Sequence, residues 1–482
     1  MPGTARPWVE SRPSRHETCA PAGRSAPSRR PIPPGESRMR ILSVPLIVAA
    51  LLAGCSEDPD PTPQDSGVPQ QDSGVPQQDS GVPPEDAGVP PEDAGVPPDP
   101  LPSGPEVPQG PPNVPEFSRA FPEQTRAPAI QSKTAIQVTE IASGFRNPWA
   151  IAFLPDQRML VTEKATGSLY IVTPQGAKSP AVTGLPAVDA RGQGGLLDVE
   201  VGPDYAQSKL VYWTYAEPRQ GGNGLAVARA KLVEEGSQPR VENVQVIFRM
   251  MPTLESTLHS GGRLVFTPDG KLFVTLGERS ILAGRVQARD VKSHFGKVVR
   301  IHPDGSVPQD NPFVNTQGAK PEIWSVGHRN ILSAALDSQN RLWTVEMGPK
   351  GGDELNRPEA GKDYGWPTIG YGEEYSGAPI HDSPQGPGME QPVYYWDPVI
   401  APSGMAIYTG TLFPEWRNDI FVGGLVSQAL VRLMIRNDRV VGEEHLLKGR
   451  NERIREVVQG PDGALYLLTD ATNGKLLKVT PR

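Results

Sequence analysis

The feature that most constrains the fold is a hairpin pattern that recurs six times along the chain. In each copy an apolar run is followed by Pro-Asp or a near equivalent, a turn, and a second apolar run. Apolar strands around such turn chemistry are typical of β-hairpins. The copies read IAFLPDQRMLVTEK from Ile151, VEVGPDYAQSKLVYWTYAE from Val199, LVFTPDGKLFVTLGE from Leu264, ALDSQNRLWTVEMG from Ala335, TLFPEWRNDIFVGGL from Thr411 and VVQGPDGALYLLTD from Val457.

The spacing between copies matches one four-stranded blade with its loops. Amphipathic helical stretches are scarce between them, so the chain is predicted to be all-β, with a six-bladed β-propeller over residues 131–482. A C-terminal strand around Leu476 to Val479 is expected to close the ring with strands near Ile136. A pair of β-sandwiches is the alternative, but it does not explain six related hairpins.

The N-terminal region is predicted to target the protein to the cell envelope. Residues 1–38 are rich in Arg, Pro and Ser and are predicted to be disordered, and Met39 offers a second start of translation. Residues 39–54 carry an Arg flank and an apolar stretch too short to span a bilayer, as in a signal peptide. Leu-Leu-Ala-Gly-Cys at its end resembles a bacterial lipoprotein cleavage site, with Cys55 as the lipidated residue. The alternative is a signal peptide followed by an incidental cysteine.

Residues 55–130 are predicted to be a disordered, Pro-rich linker. Five heptapeptides of the type QDSGVPQ or EDAGVPP run from Gln64 to Pro98, and no copy offers enough apolar surface to form a core. Such a spacer would hold a folded head away from a membrane. Ser56 after Cys55 does not resemble an inner-membrane retention signal. A lipid anchor in the outer membrane, with the head facing the periplasm or the surface, is therefore expected.

Charge and cysteine content argue against nucleic-acid binding by the globular part and exclude cysteine-based bonds and metal sites from it. The net charge is −8 and residues 131–482 contain no extended basic run, which argues against nucleic acid as a partner. Both cysteines, Cys19 and Cys55, precede this part, so its fold uses neither a disulfide nor a thiolate metal site.

One stretch, Trp343 to Pro367, combines a strand-like run with a corner of Gly, Pro and carboxylates. Such a corner can turn carbonyl and carboxylate oxygens to one side, the ligand type that calcium prefers. A Gly-rich turn with solvated Asp353 and Glu354 is the alternative.

Four further loops carry candidate functional side chains. A lone loop amide or histidine is more often an ordinary polar group of a surface turn, and arginines at blade edges commonly form salt bridges. Taken together, however, a base, three arginines, amides and a calcium corner suit a flat anionic cofactor better than they suit hydrolysis. The loops hold Gln193, His259, Arg329 with Asn330, and Arg453 with Arg455.

From about Val138 to Arg482 the chain resembles the soluble sugar dehydrogenases that depend on pyrroloquinoline quinone (PQQ), the glucose/sorbosone dehydrogenase-like family, and within it the aldose sugar dehydrogenases. The family fold is a six-bladed propeller. The motifs that carry the resemblance are GQGGLLDV, HSGGRLVFTPDGKLFVTLGE, DNPFV, IWSVGHRN, EMGPKGGDELN, GKDYGWP and NERIREV.

The resemblance implies oxidation of an aldose at C1 to the lactone, with electrons passed on to an external acceptor. His259 would remove the C1 hydroxyl proton while hydride passes to the quinone C5, and Arg329 would stabilise charge on the reduced cofactor. The positions matching PQQ contacts are Gln193, Arg329, Asn330, Tyr375, Arg453 and Arg455. Those matching calcium ligands are Gly348 and Pro349 beside the cofactor, and Glu354 and Tyr364 at a second site.

Two departures from the family pattern matter. Glu278 stands beside the expected base where the glucose-oxidising branch has Asp, which argues against strict glucose preference. Val426 follows Gly424-Leu425 where relatives often place a PQQ-binding lysine. Weaker PQQ binding, use of another base and loss of activity remain open, as do two other functions: a silent envelope propeller that binds sugars or proteins, and a calcium-dependent lactonase.

Overall fold

The computed structural model describes residues 100–482, and every structural statement below refers to that part of the chain. The predicted signal peptide, the lipidation site at Cys55 and the heptapeptide repeats lie outside the described residues.

The described residues form strands joined by turns and a few very short helical segments. The helical segments are α1 (Tyr205–Ser208), α2 (Leu282–Arg285) and two 3-10 turns at Pro414–Trp416 and Lys448–Arg450. No helix among residues 100–482 has the length and apolar character needed to cross a bilayer. The strands are β1 (Ile136–Phe145), β2 (Pro148–Phe153), β3 (Met159–Glu163), β4 (Ser168–Val172), β5 (Leu196–Val201), β6 (Leu210–Arg219), β7 (Gly222–Val233), β8 (Arg240–Arg249), β9 (Gly261–Phe266), β10 (Leu272–Leu276), β11 (Lys297–Ile301), β12 (Ile323–Val326), β13 (Ile331–Leu336), β14 (Leu342–Glu346), β15 (Lys350–Gly351), β16 (Asp353–Asn356), β17 (Gly372–Glu373), β18 (Tyr394–Trp396), β19 (Pro402–Ile407), β20 (Ile420–Gly424), β21 (Leu430–Arg436), β22 (Arg439–Leu446), β23 (Ile454–Gln459), β24 (Leu465–Thr469) and β25 (Gly474–Pro481).

Apart from β15 and β17, which pair with each other, these strands form six antiparallel sheets arranged as the blades of a propeller, which confirms the predicted fold. In strand order the blades are β2-β3-β4, β5-β6-β7-β8, β9-β10-β11-β12, β13-β14-β16-β18, β19-β20-β21-β22 and β23-β24-β25-β1. The first strand of each blade contacts the first strand of the next, so that β2, β5, β9, β13, β19 and β23 form a closed inner ring. The first blade has three strands, extended by a single bridge between Val172 and Lys178.

The ring closes as the sequence predicts, by pairing the two ends of the propeller. Strand β1 lies antiparallel to β25, with Ile136 opposite Pro481 and Val138 opposite Val479. The sixth blade therefore contains one N-terminal and three C-terminal strands. Chain ends held in this way cannot separate without breaking a blade.

Apolar side chains fill the spaces between neighbouring sheets. Fully buried Trp213 belongs to the large cluster that joins the first three blades. Trp343 and Trp396 pack with Val422 between the fourth and fifth blades. These interfaces give the blades the shared core that an isolated four-stranded sheet lacks.

A repeated threonine adds a polar link between neighbouring blades. Thr162 on β3 accepts a hydrogen bond from Ala150 N of its own blade at 3.0 Å and donates one to Leu197 O of the next blade at 2.6 Å. Thr214 on β6 and Thr275 on β10 make the same pair of contacts toward β9 and β13. One hydroxyl thus satisfies two buried backbone groups and fixes the distance between adjacent inner strands.

Residues 100–130 differ from the sequence prediction, which placed them in a disordered linker. Asn113 Nδ2 donates to Asp397 Oδ1 at 2.6 Å, and Thr125 Oγ1 donates to Tyr395 O at 2.8 Å. Val107, Val114 and Ala127 are buried. This segment therefore packs on the fourth and fifth blades. The composition of the segment alone does not reveal that the fourth and fifth blades offer a surface on which it can pack.

Candidate active site

The candidate residues meet because the five loops that carry them open toward the same end of the inner ring. Within a blade, the start of the first strand lies beside the end of the second, as in the pairs Gly261 with Leu276 and Ile331 with Glu346. Loops before first strands and loops after second strands must therefore share one face of the propeller. Four of the five sequence-predicted loops precede a first strand, and the corner at Gly348 follows a second strand.

A cavity of about 390 Å³ opens between these loops. Its volume lies in the range of roughly 300–1,000 Å³ that is usual for small-molecule sites. Residues from all six blades line it. They are Asn147, Trp149, Lys164, Gly192, Gln193, Ser260, Gly261, Leu332, Met347, Ala401, Leu425, Val426, Arg453, Arg455 and Asp470.

His259 precedes the cavity-lining Ser260 and is held from three directions. Its Nδ1 lies 2.8 Å from Glu278 Oε1, and its backbone N donates to Gln193 Oε1 at 2.8 Å. Its backbone has φ of 46°, in the left-handed region, and its carbonyl oxygen accepts from Arg279 N at 3.3 Å. The side chain of Gln193 therefore positions the backbone of His259, and Glu278 orients its imidazole ring.

The imidazole of His259 is neutral at physiological pH. Burial, together with the positive charge of the nearby Arg329 guanidinium, lowers its pKa from 6.5 to about 4 despite the opposing effect of Glu278. His259 is only 5% exposed. Because Nδ1 faces a carboxylate, the favoured tautomer donates from Nδ1 and leaves Nε2 free to accept a proton.

Arg329 and Asn330 precede β13 and link the histidine to the Gly-Pro corner. The Arg329 guanidinium donates to Met347 O at 2.8 Å and to Gly348 O at 2.6 Å, and it lies over the ring of Trp366 at 5.3 Å. Asn330 Oδ1 accepts from Gly261 N at 3.2 Å. Sequence reasoning did not single out Trp366, whose only signal is its place in the GKDYGWP motif.

Arg453 and Arg455 lie on the same side of their strand, as the alternation of side chains predicts. Both donate to Asp470 Oδ2, at 3.0 and 3.1 Å, so the salt bridges considered from the sequence are present. Arg453 also donates to Leu425 O at 3.0 Å. One carboxylate cannot neutralise two guanidinium groups, and this wall of the cavity keeps an excess positive charge.

The Gly-Pro corner is fixed from behind by a buried carboxylate. Asp353 accepts from Gly348 N at 2.9 Å and from Ala401 N at 2.8 Å. Burial raises its pKa to about 7 despite these bonds. Pro349 is buried next to Gly348. Asp353 therefore holds the turn in shape. The plain-turn interpretation requires a solvated Asp353, and this carboxylate is buried.

Glu354 and Tyr364 lie behind this corner and are connected through intervening side chains. Asn356 Nδ2 donates to both Glu354 Oε2 and Glu346 Oε1, each at 2.9 Å. Tyr364 stacks on His328, whose Nδ1 lies 3.0 Å from the same Glu346 oxygen. Burial, together with the charge of Glu346, raises the pKa of Glu354 to about 8. A cation between the two carboxylates would relieve that repulsion.

Among residues 100–482, no group of three or more His, Cys, Asp or Glu side chains is arranged to hold a metal ion. Backbone carbonyls would therefore have to complete any calcium site here, as they commonly do.

One predicted position stands apart from the cluster, and one expected cation is missing from the cavity lining. Tyr375 is 74% exposed and is not part of the cavity lining. Val426 lines the cavity and is 58% exposed, without any charge to offer a ligand. Lys164, which sequence reasoning did not identify, lines the same cavity; the TEKATG stretch after the first hairpin was its only signal.

The polar groups of the site fit a flat anionic cofactor such as PQQ. Arg329 Nε, Asn330 Nδ2 and Arg455 Nε are buried, and none has a hydrogen-bond partner among the described residues. Buried donors are satisfied in the great majority of cases, so three free donors beside one cavity favour a site that is completed by a ligand. Three cations and one carboxylate on the lining favour a ligand with several carboxylates.

Residues 145–478 match the model of the glucose/sorbosone dehydrogenase family. The aldose sugar dehydrogenase YliI of Escherichia coli is 42% identical over 353 residues, covering 72% of this chain and 93% of that protein. The quinoprotein glucose dehydrogenase B of Acinetobacter calcoaceticus is 26% identical, covering 70% of this chain and 86% of its own. The solved PQQ-bound aldose sugar dehydrogenase of Streptomyces coelicolor is 29% identical with a TM-score of 0.60, covering 73% of this chain and all of that one.

Proposed function

The chain belongs to the glucose/sorbosone dehydrogenase family of PQQ-dependent sugar dehydrogenases, and from that premise we propose that it oxidises aldoses at C1 to lactones with His259 as the general base. The observation that carries the proposal is the pairing of His259 with Glu278, which leaves a neutral Nε2 available.

His259 supports proton removal for electrostatic reasons. A general base must be deprotonated at the working pH, and the low pKa of His259 meets that condition. When it takes the proton of the C1 hydroxyl at Nε2, the imidazole becomes cationic. The carboxylate of Glu278 at Nδ1 then stabilises that charge and keeps the ring in place.

When bound, the cofactor would supply the quinone that accepts the hydride from the sugar C1, and with that hydride both electrons of the oxidation. The chain binds and orients it through Gln193, Asn330 and the arginines. Arg329 carries a fixed positive charge between His259 and the Gly348 carbonyl, which suits it to stabilise negative charge developing in the site.

We further propose calcium as a second component. The carbonyls of Gly348 and Pro349 would offer oxygen ligands at the cavity, and Glu354 with the neighbourhood of Tyr364 would form a second site. Two features favour these assignments: the corner is preorganised by Asp353, and the carboxylates of Glu354 and Glu346 repel each other.

Electrons would leave the reduced cofactor for an external acceptor. The proposed lipid anchor at Cys55 would place that exchange at the cell envelope, with the propeller in the periplasm or at the surface. The Leu-Leu-Ala-Gly-Cys sequence and the heptapeptide repeats support this location.

The function is tested by titrating the purified protein with PQQ in excess calcium, followed by quinone absorbance. Dye reduction by a panel of aldoses is then measured on the loaded protein. Saturable binding and sugar-dependent dye reduction are expected. Hydrolysis of lactones without PQQ would indicate a lactonase, and failure to bind micromolar PQQ would leave a propeller that only binds sugars or proteins.

A further inference from the structure

The cavity contains one cation that neither the arginine motif nor the base accounts for. Lys164 follows β3, and its Nζ donates to Gly192 O at 2.8 Å. Gly192 is next to Gln193, and both line the cavity together with Lys164. The ammonium group therefore lies at the wall of the proposed cofactor site.

The backbone of Lys164 is fixed by two neighbouring loops. Its N donates to Asn147 O at 3.0 Å. Gly195 passes so close that a Cβ there would lie 2.1 Å from the Lys164 carbonyl oxygen. Since both contacts come from inner-ring loops, the side chain starts from a rigid point beside the cavity.

The ammonium of Lys164 has unused hydrogen-bond donors and lies in an unfavourable electrostatic environment. An ammonium has three donors, and the Gly192 carbonyl uses one of them. Burial lowers the pKa of Lys164, and the positive charge of Arg455 lowers it further, with Asp470 acting in the opposite direction. An anion placed between Lys164 and Arg455 would offset both effects.

Val426 supplies no charge on this lining, at the position where the family resemblance implies a PQQ-binding lysine. We propose that Lys164 binds a carboxylate of PQQ and thereby replaces the cation that is absent at position 426. The inference rests on the proposed function and concerns which residue of this chain completes the cofactor site. The TEKATG loop thus contributes a PQQ ligand from a different blade.

The test is the affinity for PQQ, measured by quenching of tryptophan fluorescence, which Trp149 in the lining is placed to report. Wild type is compared with Lys164→Met, which removes the charge, and with Lys164→Gln, which removes the charge but retains an N–H donor for Gly192 O. A hydrogen bond to a charged group predicts Kd values about tenfold to a hundredfold higher for both variants. Lys231→Met, at an exposed lysine on β7, is the matched control and should leave Kd unchanged.

The second arm is a rescue. Val426→Lys in the Lys164→Met background should recover most of the lost affinity, since it returns a cation to the same lining. Urea unfolding of each variant confirms that the propeller is intact, and Lys164→Gln serves if Lys164→Met is unstable.

Wild-type affinity in both Lys164 variants would overturn the inference while leaving the proposed function in place. A loss in Lys164→Met alone, with Lys164→Gln unaffected, would assign Lys164 a structural role through Gly192. Absence of PQQ binding by the wild type would refute the proposed function itself.

Discussion

Nδ1 of His259 lies 2.8 Å from Oε1 of Glu278, and the second oxygen of that carboxylate accepts from Ser280 N at 2.9 Å. His259 precedes β9 and Glu278 follows β10, so the two residues lie side by side at the same end of the third hairpin. The carboxylate is fully buried, so its orientation is set by these two contacts and is not averaged by solvent. A base oriented in this way needs no rearrangement before it accepts a proton.

Glu278→Gln is expected to lower kcat by at least about tenfold to a hundredfold, the effect of removing a carboxylate that orients a metal-binding histidine. The pKa of His259 should fall further, because Glu278 opposes its depression. Affinity for PQQ should not change. Steady-state kinetics and a PQQ titration check both points, with Glu116→Gln at an exposed carboxylate as control. A wild-type kcat in Glu278→Gln would refute the proposal that Glu278 orients the His259 imidazole.

The pKa of about 4 for His259 predicts how activity and the NMR signals of this residue depend on pH. A base is active when deprotonated, so the activity attributable to His259 is present above pH 4 and is lost as pH falls through that value. The imidazole signals of the cofactor-free protein, observed by NMR and assigned by comparison with His259→Ala, should show no titration of this residue between pH 5.5 and 8. Titration near pH 6.5 would contradict the buried, Arg329-facing environment.

Calcium is expected to stabilise the protein through the carboxylates behind the Gly-Pro corner. At free calcium about a hundredfold above its Kd, a ligand specific for the folded state adds about 2.7 kcal/mol to the free energy of unfolding. Thermal unfolding with calcium and with a chelator measures the gain, which Glu354→Gln should reduce and Glu116→Gln should not. An equal calcium response in wild type and Glu354→Gln would place the ion elsewhere.

The threonine link between blades predicts a contrast between equivalent strands. Thr162→Val leaves the buried Leu197 carbonyl and the Ala150 amide without their partner and should cost about 1–3 kcal/mol of unfolding free energy. Thr344 occupies the matching strand of the fourth blade, but its buried hydroxyl has no partner among the described residues. Thr344→Val should therefore be close to neutral. Equal urea midpoints for the two variants would show that the hydroxyl contacts contribute little.

Much of this architecture follows from local sequence. The Pro-Asp turns between apolar runs specify the hairpins, and the strands at Ile136 and Leu477 can be matched because both are left without partners in their own neighbourhood. Even the shared side of Arg453 and Arg455 follows from strand alternation. These features depend on residues close in sequence or on a simple rule of closure.

The remaining features depend on contacts between distant loops. Lys164 enters the site only because the loop after β3 meets the loops at Gly192 and Asn147, which hairpin patterns do not specify. Residues 100–130 read as a linker because their few apolar groups, such as Val114, become buried only against blades far along the chain. The exposure of Tyr375 likewise reflects the course of a long loop and not the residue type.

The central claim is that His259 removes the proton as the sugar is oxidised. The most direct measurement is the single-turnover rate of cofactor reduction after PQQ-loaded protein is mixed with an aldose, for wild type and His259→Ala. A rate lower by about 10²–10⁴-fold in His259→Ala, with PQQ affinity and folding unchanged, is the predicted result. Reduction at the wild-type rate in His259→Ala would contradict the account and assign the base to another residue.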